Sequence, residues 1–193
     1  TALSWLSIAI FGSLPFIFSS LELSITDSFF ESMSGITTTG STIISNLDEA
    51  PKSILLWRAM LQWLGGIGII VMAITLMPIM NVGGMQLFMA EAPGSSADKL
   101  HPRITDTAKR LYLIYVLLTF AQFLLLRVAG MTWFDAINHS LTTMATGGFS
   151  TKNASMAHYE SPFIQYVVIV FMFVAGVNFT LTYFVLKGKF KKV

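Results

Sequence analysis

The sequence predicts an all-α membrane protein in which two similar helical units follow one another along the chain. Hydrophobic residues make up 54% of the 193 residues and charged residues only 11%, well below the charged share of about 25% that is usual in soluble domains. Long stretches without any charged residue recur along the chain. Two uncharged segments rich in Thr, Ser and Gly lie between these stretches: the first segment (residues 36–42) and the second segment (residues 144–150).

Four apolar stretches are predicted to cross the bilayer as helices, at residues 2–21, 59–90, 111–126 and 161–186. At a rise of about 1.5 Å per residue, each is long enough to cross or nearly cross a hydrocarbon core of about 30 Å. The shorter third stretch ends at Arg127, which can snorkel to the interface. The first stretch has neither a basic region before it nor a small-residue cleavage site after it, so a span is predicted rather than a cleaved signal. Because the chain begins at Thr1 rather than Met, we expect a piece of a longer protein.

The charge distribution predicts the orientation of these spans. Four spans place both ends of the chain on one side, together with the connection at residues 91–110. That side carries four Lys and Arg residues in the connection and four in the tail at 187–192, eight of the twelve in the chain, so it is predicted to be cytoplasmic. Acidic residues on the outer side are either ordinary solvated loop charges or a mildly negative vestibule that enriches cations. They are Glu22, Asp27, Glu31, Asp48, Glu49, Asp135 and Glu160.

The two Thr/Gly segments belong to an internal repeat. At an offset of 108 residues, Asp27 aligns with Asp135, Ser32 with Ser140, Thr38 with Thr146 and Gly40 with Gly148. The apolar stretches that follow align at an offset of 110. The repeating unit is therefore a helix, a re-entrant segment and a second helix, occurring twice in the same orientation.

Each re-entrant segment is predicted to begin with a short capped helix. Ser24 and Thr132 each stand three residues before an aspartate, an arrangement that satisfies free N–H groups and favours the positive end of the helix dipole. About ten residues of helix would follow, ending near Gly35 or Thr143. We expect its C-terminal carbonyl groups, with their partial negative charge, to point toward the middle of the membrane, where they would favour a cation.

The chemistry of the two segments fits a path for a monovalent cation. Irregular backbone at membrane depth survives only where protein or a water-filled path covers it. Inward carbonyl oxygens can replace the hydration shell of an ion, and Gly40 and Gly148 allow positive φ and close backbone approach. Neither segment contains a carboxylate, which argues against a site for divalent cations. A plain solvent loop would be expected to contain more charge, Pro and Asn between residues 32 and 47, and would leave the repetition unexplained.

The sequence resembles the TrkH branch of the Trk/Ktr/HKT potassium transporters over nearly the whole chain. The motifs that carry the likeness are DSFFESMSGITTTGST at 27–42, LQWLGGIGII at 61–70, GGMQL at 83–87, FDAINHS at 134–140 and GGFST at 147–151. The resemblance implies two tandem helix–pore loop–helix (M1-P-M2) repeats, half of a pseudo-fourfold cation pore. Pore repeat 1 would cover residues 1–80, a cytoplasmic linker 81–106, and pore repeat 2 residues 107–193.

Within the repeats, the implied elements are M1, a pore helix with its filter, and M2. In repeat 1 they cover about 2–21, 26–42 and 52–80, and in repeat 2 about 107–129, 133–151 and 162–186. The implied ion-binding residues of the selectivity filter are Thr38, Thr39, Gly40, Thr146, Gly147 and Gly148, with potassium at all of these except Thr146. The filter-supporting residues are Thr37, Ser41, Phe149 and Ser150.

The resemblance also implies the function and the partners. It implies potassium uptake across the bacterial inner membrane. Glycine at the filter position of the first repeat, here Gly40, goes with K⁺ selectivity in the family, whereas some members with serine at that position admit Na⁺. The implied partners are the remaining two repeats of the parent chain, a second copy in a homodimer, the lipid bilayer and a cytoplasmic, TrkA-like nucleotide-binding ring. Potassium would be the transported ion, with no organic cofactor. The net charge of +2 gives no reason to expect a nucleic acid partner.

Other function classes are less well supported by the residues. A non-conducting membrane scaffold remains the main alternative. An intramembrane hydrolase using Glu31, Asp135 or His139 lacks a nucleophile–base pair, the chain contains no Cys, and no metal-ligand spacing occurs, so we do not expect an enzyme. An aquaporin-type channel would need Asn-Pro-Ala at its helix tips, and neither segment has it.

For four polar residues in or near the spans, the sequence favours a structural role over a functional one. Glu31 and His139 occupy equivalent positions and are expected to be near-surface, hydrogen-bonded structural residues, although an ionisable group inside a membrane can be functional. Arg58 is expected to anchor the interface. Gln62 is expected to bond a neighbouring helix rather than an ion.

Overall fold

The computed structural model of the chain describes residues 2–79 and 100–177, with side chains described at 3–68 and 109–177. It contains six α-helices and one short 3₁₀ helix, and no strand occurs in the described ranges. The predicted all-α class is therefore confirmed for this part of the chain. The helices are α1 (Ala2–Ile17), α2 (Ile25–Ile36), α3 (Lys52–Ile79), α4 (Leu100–Val128), α5 (Trp133–Met144) and α6 (Pro162–Gly176), and the 3₁₀ helix is Ser155–His158.

Three helix boundaries differ from the predicted ones by four or more residues. Helix α6 ends at Gly176, where Val177 takes an extended conformation, rather than near residue 186. Helix α1 ends at Ile17 rather than near residue 21. After Ile17 the chain forms a turn, because the backbone N–H and the hydroxyl of Ser19 both donate to the carbonyl oxygen of Phe16. Helix α4 begins at Leu100, inside the predicted linker at 81–106. Lys and Arg lower the hydropathy of this region but are good helix formers, so the helix extends past the apolar stretch. The rest of the linker, and the motif at 83–87, lie outside the described residues.

The described helices present broad apolar surfaces. Of these residues, the stretch Lys109–Val128 has both the length and the mean hydropathy, 2.0, to cross a membrane, whereas Leu3–Ile17 and Pro162–Gly176 are apolar but shorter. Large apolar side chains are exposed along α1, α4 and α6, among them Leu3, Phe11, Val128, Tyr166 and Phe173. Apolar surface this extensive is rare on soluble monomers and fits contact with lipid or with further protein.

The helices form two units joined through α3. Helices α1, α2 and α3 pack together, as do α4, α5 and α6, and α3 also packs against α4 and α5. The indole N–H of Trp57 on α3 donates to the carbonyl oxygen of Gly12 on α1 at 2.9 Å, and that of Trp63 donates to the Thr119 hydroxyl of α4 at 3.1 Å. The hydroxyl of Tyr115 on α4 donates to the Trp63 carbonyl at 3.1 Å. Because α3 packs against both α2 and α5, it fixes the position of these two short helices relative to each other.

The short helices α2 and α5 begin with the predicted caps. The hydroxyl oxygens of Ser24 and Thr132 accept from the backbone N–H of Asp27 and Asp135, in both cases at 3.1 Å, and their hydroxyl groups donate to the aspartate carboxylates at 2.7 Å. The helices end at Ile36 and Met144, one residue beyond the predicted ends.

Removing either cap is expected to destabilise its short helix. Ser24→Ala and Thr132→Ala should each lower the free energy of unfolding by about 1 kcal/mol, because an N-terminal N–H group loses its acceptor. Ser161 precedes α6 without a side-chain cap bond, so Ser161→Ala provides the control and should change little. Thermal unfolding of the detergent-solubilised full-length protein measures all three. Equal effects at Ser161 and the two capping positions would contradict this account.

Candidate functional site

The first and second segments follow the same backbone path. Gly40 and Gly148 both have φ of 79°, which confirms the predicted positive φ. Thr38 and Thr146 also have positive φ, at 57° and 55°. Left-handed backbone is uncommon for threonine, so its occurrence at two positions 108 residues apart indicates that both segments are held in the same specific conformation.

The N–H groups of the segments are bonded back to the short helices. Thr38 and Thr39 donate to carbonyl groups in the last turn of α2, both at 3.0 Å, and Thr146 and Gly147 donate to carbonyl groups in the last turn of α5, both at 2.9 Å. These carbonyl groups were expected to point at the middle of the membrane and act on a cation. That expectation stays a prediction; the structure shows that the chain turns back on each helix end and that its own N–H groups bond these carbonyl groups.

The carbonyl oxygens of the same residues have no such bonds. Among the backbone groups of residues 2–79 and 100–177 and the side chains of residues 3–68 and 109–177, none donates to the carbonyl oxygens of residues 38–40 or 146–148. Backbone carbonyl groups in folded proteins are nearly always paired with protein or with water. These six acceptors have no donor within the described part of the chain.

The two segments lie against each other. A Cβ atom on Gly40 would overlap the carbonyl oxygen of Gly147, and a Cβ on Gly35 would lie 3.6 Å from the Phe149 ring. The expected close backbone approach is therefore found at Gly40. At Gly148 no atom of the described residues lies within 4 Å of a Cβ position, so this glycine faces open space.

The predicted supporting residues fix the ends of the segments. The hydroxyl of Thr37 donates to the Met33 carbonyl at 2.7 Å and lies 2.8 Å from the Thr39 hydroxyl, while the carbonyl of Ser41 accepts from the Ser34 hydroxyl at 2.5 Å. Phe149 and Ser150 are buried. The Ser150 hydroxyl accepts from the N–H of Lys152 at 3.0 Å.

Arg58 does not anchor the interface. Its side chain is 1% exposed, and its Nε lies 2.6 Å from Oε1 of Glu31, which is fully buried. Its Nη1 donates to the Ser150 carbonyl at 3.3 Å, and its guanidinium carbon lies 4.0 Å from the centre of the Phe149 ring. The prediction was wrong because the face of α3 that carries Arg58 turns inward, between α2 and the second segment.

Glu31 binds the chain that leaves the first segment. Its carboxylate accepts from the hydroxyl of Thr42 at 2.9 and 3.1 Å and from the N–H of Ile43 at 3.0 Å. It is therefore hydrogen-bonded, as expected, but it is deeply buried rather than near the surface. His139 at the equivalent position is also buried, at 3% exposed, and its ring is perpendicular to the Tyr159 ring, with the two ring centres 5.5 Å apart.

Gln62 lies directly beneath the second segment. It is fully buried, and its Oε1 accepts from the N–H of Phe149 at 3.2 Å. A Cβ on Gly147 would overlap the Gln62 amide group. Gln62 therefore bonds a loop backbone rather than a neighbouring helix, which corrects the prediction. Sequence reasoning did not assign Arg58 or Gln62 to the site, although two polar residues four positions apart share one face of an otherwise apolar helix.

Polar side chains that follow the two segments along the chain join the two halves. The side-chain oxygen of Asn153 accepts from the N–H of Leu47 at 2.8 Å, and Lys152 pairs with Asp48 at 3.5 Å. At the start of α5, burial disfavours the charged form of Asp135, but hydrogen bonds from Thr151 and Thr132 outweigh this effect and hold the pKa of the carboxyl below its usual value. Burial raises the pKa of Tyr159 to about 12, and the Asp135 charge adds to the shift. Asp135 is thus a buried, locally bonded carboxylate rather than the solvated loop charge that was expected.

Comparison with known proteins gives a consistent result. The family TrkH, described as cation transport protein, matches residues 1–193. The chain is 53% identical, over 99% of its length, to the Trk system potassium uptake protein TrkH of Salmonella typhimurium, and 38% identical, over 96%, to the protein TrkG of Escherichia coli. It covers 40% and 39% of those two proteins. The structure matches the crystal structure of the potassium transporter TrkH from Vibrio parahaemolyticus with a TM-score of 0.81 and 46% identity, covering 94% of this chain and 36% of that one.

Proposed function

The chain belongs to the TrkH family of cation transport proteins, and on that premise we propose that its parent protein takes up potassium ions across the bacterial inner membrane. The ions pass a selectivity filter lined by backbone carbonyl oxygens. One observation carries this proposal: two segments of matching conformation meet, with N–H groups bonded to the short helices and six carbonyl oxygens that have no donor among the described residues. Oxygens of this kind can replace the water around a cation and still release it.

The electrostatics of the site favour a monovalent cation. The segments themselves contain no carboxylate. Glu31 is the acidic side chain bonded to the end of the first segment, and Arg58 neutralises its charge. The carbonyl oxygens thus bind through partial charges alone, which suits an ion that must leave again. A site for a divalent ion would offer unpaired carboxylates.

Specific residues are assigned to the filter in this proposal. The oxygens of Thr38, Thr39, Gly40, Thr146, Gly147 and Gly148 contact the ion. The supporting residues are Thr37, Ser41, Phe149 and Ser150, whose contacts hold the segment ends. Two segments form half a ring, and the open space beside Gly148 leaves room for another segment. The parent protein would close the ring with two further repeats.

The remaining assignments concern the whole protein, of which this chain spans about two fifths of the length of the curated relatives. We place repeat 1 at 1–80 and repeat 2 at 107–193, with the segments on the outer side and the linker and chain ends in the cytoplasm. The excess of Lys and Arg in the linker and tail supports this orientation. A homodimer, and a nucleotide-binding ring at the cytoplasmic face, complete the proposed assembly.

Ion flux into liposomes that contain the full-length parent protein tests the proposal. We expect K⁺ to enter faster than Na⁺ at equal concentrations, and protein-free liposomes to show neither flux. Equal K⁺ and Na⁺ entry would favour a sodium-permeable member of the superfamily. A correctly assembled protein without cation flux, alone or with its cytoplasmic partner, would favour the scaffold alternative and overturn the proposal.

A further inference from the structure

We infer that Arg58, together with Glu31, is a positioning residue that sets the register of the first segment against the second and thereby the preference for K⁺ over Na⁺. The inference rests on the proposed function, because it concerns the geometry of the same filter. It assigns no ion contact to either side chain. Both residues act through the backbone that they hold.

Glu31 ties the end of the first segment to α2. It projects from α2 and receives both the hydroxyl of Thr42 and the N–H of Ile43, at 2.9 to 3.1 Å. These two residues are where the chain leaves the first segment. Since the other end of the segment is bonded to the last turn of α2, both ends are tied to the same short helix.

Arg58 connects Glu31, and with it the first segment, to the second segment. Its guanidinium group contacts Glu31, the Ser150 carbonyl and the Phe149 ring at the same time. The planar fork of arginine is suited to holding a carboxylate and a second acceptor in fixed directions. The path from Thr42 through Glu31 and Arg58 to Ser150 therefore connects the two segments through charge-assisted bonds, which are buried from Glu31 onward.

The fold does not require an ion pair at this place. Helices α5 and α6 follow each other along the chain as α2 and α3 do, and at offsets of 108 and 110 residues they carry His139 and Val168 in place of Glu31 and Arg58. They pack together without a charged pair at these positions. Buried ion pairs often contribute little net stability relative to apolar side chains. The pair in repeat 1 is therefore better explained by what it connects than by helix packing.

The size of the effect follows from how ions are discriminated. K⁺ and Na⁺ carry the same charge, so a filter separates them through the arrangement and strength of its oxygens. Loss of the fixed register lets the oxygens of the two segments shift relative to each other. We expect the ratio of K⁺ to Na⁺ flux to fall about tenfold, which corresponds to ~1.4 kcal/mol between the two ions.

The experiment uses the full-length transporter in liposomes and compares Arg58→Met, Glu31→Met and the double variant E31M/R58M. Each single variant leaves one buried charge unpaired and should reduce the yield of folded protein. The double variant removes both charges and should restore the yield. Its K⁺/Na⁺ flux ratio should nevertheless stay about tenfold below that of the unmodified protein. A double variant with restored yield and an unchanged ratio would overturn the inference.

Arg58→Lys gives an independent test if the double variant is not recovered. Lysine keeps the charge beside Glu31, so folding should be retained, but a single ammonium group cannot reproduce the fork that also reaches Ser150. The flux ratio should fall here too, and an unchanged ratio would contradict the inference. Arg127→Met is the matched control. Arg127 donates to the Met131 carbonyl and lies 4.6 Å from the centre of the Trp133 ring, similar contacts at a distance from the segments, so its loss should not change the ratio.

The unmodified protein separates the two possible failures. If it shows no preference for K⁺, the proposed function fails and the inference fails with it. If it prefers K⁺ and the variants keep that preference, the filter assignment stands and only the positioning role of Arg58 is wrong.

Discussion

Gly40→Ala is expected to abolish most potassium uptake by the full-length transporter. Gly40 has φ of 79°, where an alanine costs roughly 1–2 kcal/mol, and its new Cβ would overlap the Gly147 carbonyl oxygen. That oxygen belongs to the backbone of the second segment, so no side-chain rotation relieves the overlap. Overpacking adds about 1–3 kcal/mol, and it is relieved only when the two segments move apart. This part of the cost disfavours the conducting arrangement, so we expect flux per folded molecule to fall at least about fivefold.

Gly130→Ala is the matched control for backbone strain alone. Gly130 follows α4 with φ of 96°, and no atom of the residues that the structure describes lies within 4 Å of its Cβ position. The substitution should reduce thermal stability by about 1–2 kcal/mol and leave the flux per folded molecule unchanged. K⁺ flux into liposomes, normalised to the folded protein, measures both variants. A Gly40→Ala protein with the flux of the Gly130→Ala protein would show that contact between the segments does not matter for transport.

Gly65→Ala is expected to prevent stable association of α3 with α2. A Cβ on Gly65 would overlap the carbonyl oxygen of Ile36, the last residue of α2. Both partners are backbone of rigid helices, so α3 must move away from the helix that carries the first segment. We expect a loss of about 3 kcal/mol in the free energy of unfolding and a sharp drop in folded yield.

Gly68→Ala provides the control on the same helix. Its Cβ would lie 3.5 Å from the Trp5 ring, an ordinary contact. Alanine has a higher helix propensity than glycine, so this variant should be as stable as the unmodified protein or up to about 1 kcal/mol more stable. Thermal unfolding in detergent, with size-exclusion profiles, compares the two. Equal stability of both variants would contradict the close packing of α3 on the end of α2.

Local rules predicted the features that depend on neighbouring residues. Ser24 and Thr132 were identified as caps because the hydroxyl and its N–H partner lie three residues apart. Gly40 and Gly148 were assigned positive φ because glycine tolerates it without a Cβ clash. The left-handed threonines two residues earlier were not predicted, since threonine adopts this conformation only where its surroundings impose it.

The sequence could not identify the side chains that hold the site together. Arg58 near the start of an apolar helix has the pattern of an interface anchor, and Gln62 that of a helix-packing residue. Their partners Glu31, Ser150 and Phe149 lie 27 to 92 residues away along the chain. Only the packing of α3 between the two units decides that both side chains turn toward the second segment.

The sequence by itself thus determined the helical class, the repetition of the two segments, and the caps and glycines that shape each of them. These features arise from hydropathy, hydrogen bonds and backbone torsions within a few residues. The tertiary structure alone decided that Gly40 meets Gly147, that Glu31 and Arg58 are buried together, and which carbonyl oxygens stay free. Such contacts depend on the relative placement of helices far apart in the chain, which no local pattern encodes.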